Sequence, residues 1–344
     1  MTLSNGHRPG LKVVSMGGGT GMATLLAGLK KYVGPRRRGV SISSLTAVVA
    51  VSDDGGSSGR LRNEFQILPP GDIRNCIVAL SDHTALLSRL FQFRFDGNGQ
   101  LGGHSLGNLL LTALASVQGD FLQGIKAASD VLAIKGTIYP ATTQNVHLVA
   151  DLADGTRVRG ESAIARAVAP ISALRLEPAD CRPLPETLFA IRAADIISIG
   201  PGSLFTSIVP NLLVPGVAEA LRSSKAVKVY ICNVMTQPGE TPGFTASDHL
   251  RRMAEICGPG LVDVAVVNSV MPSPAVVKRY RRDGADPVVI DLARFRQLGV
   301  KVMSRRVMSE DFRPAGQAGP AGRIVRHDSD KLARQILSLM ERTR

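Results

Sequence analysis

The segment Lys12–Gly21, KVVSMGGGTG, constrains the fold of this chain more than any other stretch. Val13, Val14 and Met16 form a short apolar run typical of a buried strand, and four glycines follow directly. The next residues, ATLLAGLKK, place their apolar side chains at helical spacing. A strand, a glycine turn and a helix begin a βαβ unit, in which the helix N-terminus lies at the C-terminal edge of a parallel sheet.

The glycine turn predicts an anion site. Gly17, Gly18, Gly19 and Gly21 permit positive φ and leave no Cβ between the backbone N–H groups and a ligand. The positive end of the helix dipole favours phosphate at the same place. A tight turn without a ligand is the alternative, although four glycines are more than a turn requires. Met22 stands where a dinucleotide fingerprint needs its last glycine, and no Gly-Lys-Ser/Thr follows. We therefore predict phosphate binding without ATP hydrolysis.

The amino-acid composition limits which classes of ligand and which cellular compartment are expected. The net charge of +13 favours acidic ligands, but the basic residues form only short clusters such as Arg36–Arg38 and Arg305–Arg306. Without a long basic block or an aromatic stacking motif, nucleic acid is not the expected partner. The four cysteines are widely spaced, which fits a reducing compartment. We expect a cytoplasmic protein, because the sequence shows neither a signal peptide nor an apolar run of membrane-spanning length.

Further polar loops follow predicted strands or precede predicted helices. The adjacent carboxylates of Asp53 and Asp54 end the predicted strand Ser44–Ser52 and could hold a ribose or a divalent cation, or simply form an acidic capping turn. His104 and Asn108 precede an apolar helix, where they suit a base, a sugar or a phosphate, although a histidine here is equally well structural.

The pattern predicts an α/β fold, a Rossmann-like, doubly wound, mostly parallel sheet with a small antiparallel β-hairpin insertion. We expect residues 1–10 to be a disordered N-terminus and residues 310–322 a flexible insert. Residues 11–309 and 323–344 then form a single α/β domain, in which 134–185 is a hairpin subdomain around Asp154-Gly155. Pro287–Asp291 is a predicted strand, Asp72 a predicted helix N-cap, and Asp328 or Ser329 the predicted cap of the last helix.

Six loops together resemble one known family. In chain order they read GGGTG, SDDGGSSGRLR, PPGDIRN, GGHSLGN, IGPGSLFTSIVPNLLVPG and NVMTQPGET. The chain resembles the bacterial gluconeogenesis factor family, the UDP-sugar-binding branch of the 2-phospho-L-lactate transferase superfamily. That resemblance implies a Rossmann-like domain that binds a nucleotide sugar, notably UDP-N-acetylglucosamine. It also implies a role in carbon flux into cell-wall precursors and in cell shape, with an enzyme of that precursor pathway as a possible protein partner. A homo-oligomer is compatible with it.

The resemblance also implies a set of ligand-binding residues. Gly18, Gly19, Thr20 and Gly21 would face the diphosphate, and the crevice would be lined by Asp53, Asp54, Asn108, Ser203 and Asn233. Tyr280 and Arg326 match family positions associated with nucleotide-sugar binding, because a tyrosine can stack on uracil and an arginine can fork a diphosphate. The alternatives are helix packing for Tyr280 and a surface charge for Arg326.

Two functions remain open. A non-catalytic ligand-sensing regulator is favoured, because the sequence contains no convincing nucleophile–base pair. Such a regulator needs no catalytic residue, metal or cofactor, although Mg²⁺ could accompany the ligand. The alternative is a transferase of a phosphorylated group, with Asp53 or Asp54 holding a metal. GSSGRLR and PPGDIRN depart from the acidic loop and longer aspartate-containing segment of the transferases, which argues against that activity and its deazaflavin acceptor and leaves the transferase as the second choice. Ser329 is a possible phosphosite, since its phosphate could capture Arg326; a helix cap is the simpler alternative.

Overall fold

A sheet of seven parallel strands forms the centre of the fold in a computed structural model that describes residues 10–35, 39–82, 85–313 and 322–341. In spatial order the strands are β10 (Lys301–Arg305), β9 (Val264–Asn268), β8 (Val227–Ile231), β7 (Ile196–Ile199), β1 (Leu11–Gly17), β2 (Ile42–Val49) and β3 (Thr137–Pro140). The predicted disorder of residues 1–9 and the basic cluster Arg36–Arg38 lie outside the described residues. The α/β fold with a mostly parallel sheet is confirmed.

Helices connect these strands and supply much of the buried aliphatic core. They are α1 (Gly19–Leu29), α2 (Gly56–Phe65), α3 (Gly71–Leu80), α4 (Ala85–Gln92), α5 (Leu106–Gln118), α6 (Phe121–Val131), α7 (Glu161–Ile164), α8 (Pro185–Ala193), α9 (Val209–Leu213), α10 (Val217–Ser223), α11 (Ala246–Cys257), α12 (Pro274–Arg282), α13 (Leu292–Gln297) and α14 (Ser329–Glu341). Among the described residues no single helix is long and apolar enough to cross a membrane; one bent pair, Leu204–Leu213 with Val217–Ser223, meets that test only jointly.

The order of the strands creates a crevice at one edge of the sheet. From β1 the chain runs outward to β3, then returns to β7 on the other side of β1 and runs outward to β10. The loops that leave β1 and β7 therefore diverge at the carboxyl edge of the sheet. A topological switch point of this kind is where open α/β sheets bind ligands.

The antiparallel insertion is a three-stranded sheet rather than a hairpin alone. Its strands β4 (His147–Leu152), β5 (Arg157–Arg159) and β6 (Ile171–Glu177) lie in the order β5-β4-β6, and α7 belongs to the connection between β5 and β6. The predicted segment 134–185 begins too early, because Thr137–Pro140 pairs in parallel with β2 and belongs to the main sheet.

Two local predictions are wrong. Residues 310–313 and 322 were expected in a flexible insert, but β11 (Met308–Arg313) and β12 (Gly322–His327) pair as an antiparallel hairpin, and residues 314–321 lie outside the description. The hairpin is fastened to the domain by Glu310, which accepts hydrogen bonds from Ser273 N (2.5 Å) and Ser273 Oγ (2.8 Å). Pro287–Asp291 forms isolated bridges to Met235 and Thr245 rather than a strand.

Candidate functional site

A cavity of about 540 Å³ opens at the carboxyl edge, where the loops after β1 and β7 diverge. Nine of the predicted ligand-binding residues line it: Gly18, Gly19, Thr20, Gly21, Asp53, Ser203, Asn233, Tyr280 and Arg326. The remaining wall includes residues that sequence reasoning did not select: Thr24, Asp72, Glu161, Ser207, Gln237, Asp283 and His327. Polar loops from both halves of the sheet thus converge on one space.

The glycine loop begins α1, but a carboxylate of the protein already faces that helix terminus. Gly18 is the N-cap residue, and the backbone N–H of Gly19 donates a hydrogen bond to the side chain of Asp72. A Cβ on Gly18 would overlap Asp72 Oδ2. Asp72 was predicted to cap its own helix, but Pro70 is the N-cap of α3, and Asp72 turns toward α1 instead.

Asp53 and Asp72 form an electrostatically coupled pair of carboxyl groups. Burial raises the pKa of Asp72 to about 6, and the nearby charge of Asp53 adds to that shift. Burial also raises the pKa of Asp53, although hydrogen bonds from Gly55 N (2.8 Å) and the side chain of Ser58 oppose the shift. Within the described ranges no group of three or more His, Cys, Asp or Glu side chains has the geometry to hold a metal ion.

A third carboxyl group, that of Glu161, reaches the cavity from the antiparallel insertion. Burial raises the pKa of Glu161 well above its usual value, followed by the charges of Asp53 and Asp72. Asp54 holds the first turn of α7, which carries Glu161: Asp54 Oδ1 accepts a hydrogen bond from Ser162 N at 2.8 Å. Asp54 was predicted to line the crevice, but it does not, because adjacent residues of this loop point in different directions and its carboxylate is directed at α7.

Asn108 was also predicted to line the crevice, and it lies behind the cavity instead. Its Nδ2 donates to Ser57 Oγ at 3.0 Å, and His104 Nδ1 lies 2.9 Å from the same oxygen. Both side chains are buried, and both hold the first turn of α2, which directly follows the loop that carries Asp53. These contacts support a structural role for His104 rather than a role in ligand binding.

The loops after β7 and β8 are fastened to each other beside the cavity. Asn233 Nδ2 donates to Gly202 O at 2.8 Å and to Gln237 Oε1 at 3.1 Å. Gln237 Nε2 in turn donates to Ser203 Oγ at 2.6 Å. Asn233 and Ser203 thus line the cavity while also setting its shape.

Tyr280 and Arg326 come together on the wall formed by α12 and the β11–β12 hairpin. The Tyr280 hydroxyl accepts a hydrogen bond from Val325 N at 3.1 Å, and the Arg279 guanidinium lies 5.3 Å from the centre of its ring. Arg326 is exposed, whereas the neighbouring His327 is buried and its Nε2 has no hydrogen-bond partner among the described atoms. Burial lowers the pKa of His327 to about 4, which leaves the imidazole neutral at pH 7.

The last helix begins next to this wall. Asp328 Oδ1 accepts a hydrogen bond from Lys331 N at 2.9 Å, so Asp328 rather than Ser329 caps α14. Ser329 is partly buried, and its carbonyl oxygen occupies the space that a side chain on Gly28 would need. Ser329 as a phosphosite stays a prediction.

Comparison with known proteins gives consistent matches over nearly the whole chain. Residues 13–308 match the family described as 2-phospho-L-lactate transferase CofD. The gluconeogenesis factor of Halalkalibacterium halodurans is 47% identical over 96% of this chain and 97% of its own length. The gluconeogenesis factor of Bacillus subtilis is 43% identical, with 98% and 99% covered. A crystal structure of a Bacillus halodurans protein superimposes with a TM-score of 0.87 at 48% identity, covering 96% of this chain and all of that one.

Proposed function

Because the chain belongs to the 2-phospho-L-lactate transferase CofD family and its relatives there include proteins named gluconeogenesis factor, we propose that it is a UDP-sugar-binding regulator. Its ligand is UDP-N-acetylglucosamine or a closely related nucleotide sugar. Ligand occupancy connects central carbon metabolism with the synthesis of cell-wall precursors and thereby with cell shape, through contact with an enzyme of that pathway in the cytoplasm.

The observation that carries this proposal is the composition of the cavity wall. One side offers the Tyr280 ring and the Arg326 guanidinium, which suit a nucleobase and a diphosphate. The hydroxyl of Tyr280 is held by Val325 N, so the ring is fixed in position before a ligand arrives. The cavity volume of about 540 Å³ lies in the range of small-molecule sites.

Calorimetric titration with UDP-N-acetylglucosamine, UDP-glucose and NAD tests the proposal. We expect saturable binding of both UDP-sugars at one site per chain, with NAD much weaker. Tyr280→Phe should weaken binding only slightly, because it keeps the ring and loses the bond to Val325 N that fixes it, whereas Tyr280→Ala should weaken binding about tenfold or more. If neither UDP-sugar binds, or if Tyr280→Ala binds as tightly as wild type, the proposal is wrong.

A second candidate is transfer of a phosphorylated group, and the paired carboxylates Asp53 and Asp72 favour it. Magnesium is commonly held by one or two carboxylates together with the phosphates of a substrate, and it would supply charge neutralisation for a transferring phosphoryl group. Both side chains line the cavity, and their mutual repulsion is what a cation would relieve. They therefore fit a Mg²⁺ ion that arrives with a nucleotide.

Magnesium dependence separates the two candidates. In a non-catalytic regulator, Asp53→Asn lowers UDP-sugar affinity only modestly, and chelation of Mg²⁺ leaves the affinity of the wild type unchanged. In a transferase, chelation reproduces the effect of Asp53→Asn and a phosphorylated substrate is turned over. Turnover together with that correspondence would establish the second candidate.

A further inference from the structure

Glu161 belongs to the antiparallel insertion and not to the main sheet, and the insertion places its side chain at the cavity. It is the first residue of α7, which follows β5. The position of α7 is fixed from the main sheet by Asp54, whose Oδ1 accepts the N–H of Ser162, and whose Oδ2 occupies the space that a Cβ on Gly160 would need. Asp54 is thus a positioning residue for Glu161.

The carboxyl group of Glu161 has no hydrogen-bond donor among the described residues, which distinguishes it from its neighbours. Asp53 accepts from Gly55 N and the side chain of Ser58, and Asp72 accepts from Gly19 N and the side chain of Asn75. A partly buried carboxyl group without donors is unfavourable unless something else supplies them. Glu161 therefore has unused acceptor capacity that faces the cavity.

Charge is distributed unevenly along the cavity. The buried or partly buried carboxyl groups of Asp53, Asp72 and Glu161 come from the β2 side of the switch point. The side of β8, β9 and β10 carries Tyr280, Arg326 and one carboxylate, Asp283, which is exposed. The N-terminus of α1 cannot be taken freely by phosphate, because Asp72 already accepts the N–H of Gly19. Without a bridging cation, an anionic diphosphate is repelled from the carboxylate side and attracted to Arg326.

We propose that a nucleotide sugar binds with its diphosphate toward Arg326 and its sugar toward Glu161, and that Glu161 selects uncharged sugars by accepting hydrogen bonds from their hydroxyl or amide groups. This rests on the proposed function, and it adds the orientation of the ligand and the class of sugar. Sugars that carry a carboxylate, such as glucuronate, are excluded because the carboxyl groups of Asp53, Asp72 and Glu161 offer no N–H donor to a further carboxylate, and any of them that is ionised repels it.

The test is calorimetric titration in EDTA with UDP, UDP-glucose and UDP-glucuronate, the last two differing only in the carboxylate of the sugar. We expect wild-type protein to bind UDP-glucose at least about tenfold more tightly than UDP-glucuronate. Glu161→Gln should reduce that preference to about threefold or less, because the amide cannot ionise and its N–H groups can donate to the carboxylate of glucuronate. Glu177→Gln, the same chemical change at a half-exposed position of the same small sheet that does not line the cavity, should behave as wild type.

The possible results test three different statements: the role of Glu161, the orientation of the ligand and the proposed function. If wild-type protein binds the two sugars equally, or if Glu161→Gln keeps the full preference, the role of Glu161 is refuted while UDP binding stands. If UDP binds only when Mg²⁺ is added, the diphosphate lies at the carboxylates and the proposed orientation is wrong. If UDP does not bind at all, the proposed function itself fails. Should Glu161→Gln not fold, as judged by circular dichroism, the wild-type comparison alone still decides the sugar preference.

Discussion

Replacing Asp72 by asparagine should stabilise the protein above about pH 4, with the full effect at neutral or higher pH. Burial raises the pKa of Asp72 from 3.8 to about 6 in the folded state, so ionising this carboxyl group costs more free energy in the folded protein than in the unfolded chain. Well below pH 4 the carboxyl group is neutral in both states and does not affect stability. As the pH rises from about 4 to above 6 the folded state loses about 3 kcal/mol relative to a neutral side chain, and the loss is constant at higher pH.

Urea unfolding of wild type and Asp72→Asn at pH 4 and pH 8 measures this difference. Asparagine keeps an oxygen that can accept the N–H of Gly19, so the change removes the charge without removing the hydrogen bond. We expect the variant to be more stable than wild type by only about 0.5 kcal/mol at pH 4, and by up to about 3 kcal/mol at pH 8. Asp96→Asn, at an exposed loop position, is the control for removing a carboxylate that is not buried. A difference that does not change with pH would refute the burial argument.

The remaining predictions concern the two ends of α1 and the start of α14. Gly28→Ala should lower the free energy of unfolding by about 1–3 kcal/mol, because its Cβ would overlap the carbonyl oxygen of Ser329, whereas Gly99→Ala, which meets open space, should not; urea unfolding of both compares them. Gly19→Ala has room for its methyl group but adopts φ +66, so about 1–2 kcal/mol of backbone strain should appear in urea unfolding; a wild-type free energy of unfolding would contradict it. Ser329→Glu should weaken UDP-sugar affinity by drawing Arg326 away from the ligand, and Ser329→Ala should not; equal affinities would exclude a phosphorylation switch.

The carboxyl-edge site could be predicted because parallel βα topology forces it. Once β1 and β7 are recognised as neighbouring strands, the loops that carry Gly19 and Ser203 must meet at one edge. Tyr280 and Arg326 came from the family resemblance, and the structure brings them to the same cavity although the residues between them include a hairpin that was predicted to be flexible.

The failures have a common physical cause, which is that the direction of a side chain depends on tertiary contacts. Asp53 and Asp54 are adjacent in sequence, yet one lines the cavity and the other holds α7. Asp72 looked like a helix cap because its partner, Gly19 N, is distant in sequence. Nothing in the local pattern around Glu161 indicates that an antiparallel insertion would bring it back to the main sheet. The motif PPGDIRN offered the best available signal for Asp72, since it places an aspartate where a loop meets a helix.

A crystal structure of the protein with UDP-N-acetylglucosamine is the most direct test of the central claim, which is that the cavity at the β1–β7 switch point holds a nucleotide sugar. We predict the uracil against the Tyr280 ring, the diphosphate within hydrogen-bond reach of Arg326, and the sugar next to Glu161. Crystals grown at saturating ligand that show the nucleotide sugar elsewhere, or the cavity without it, would contradict the claim.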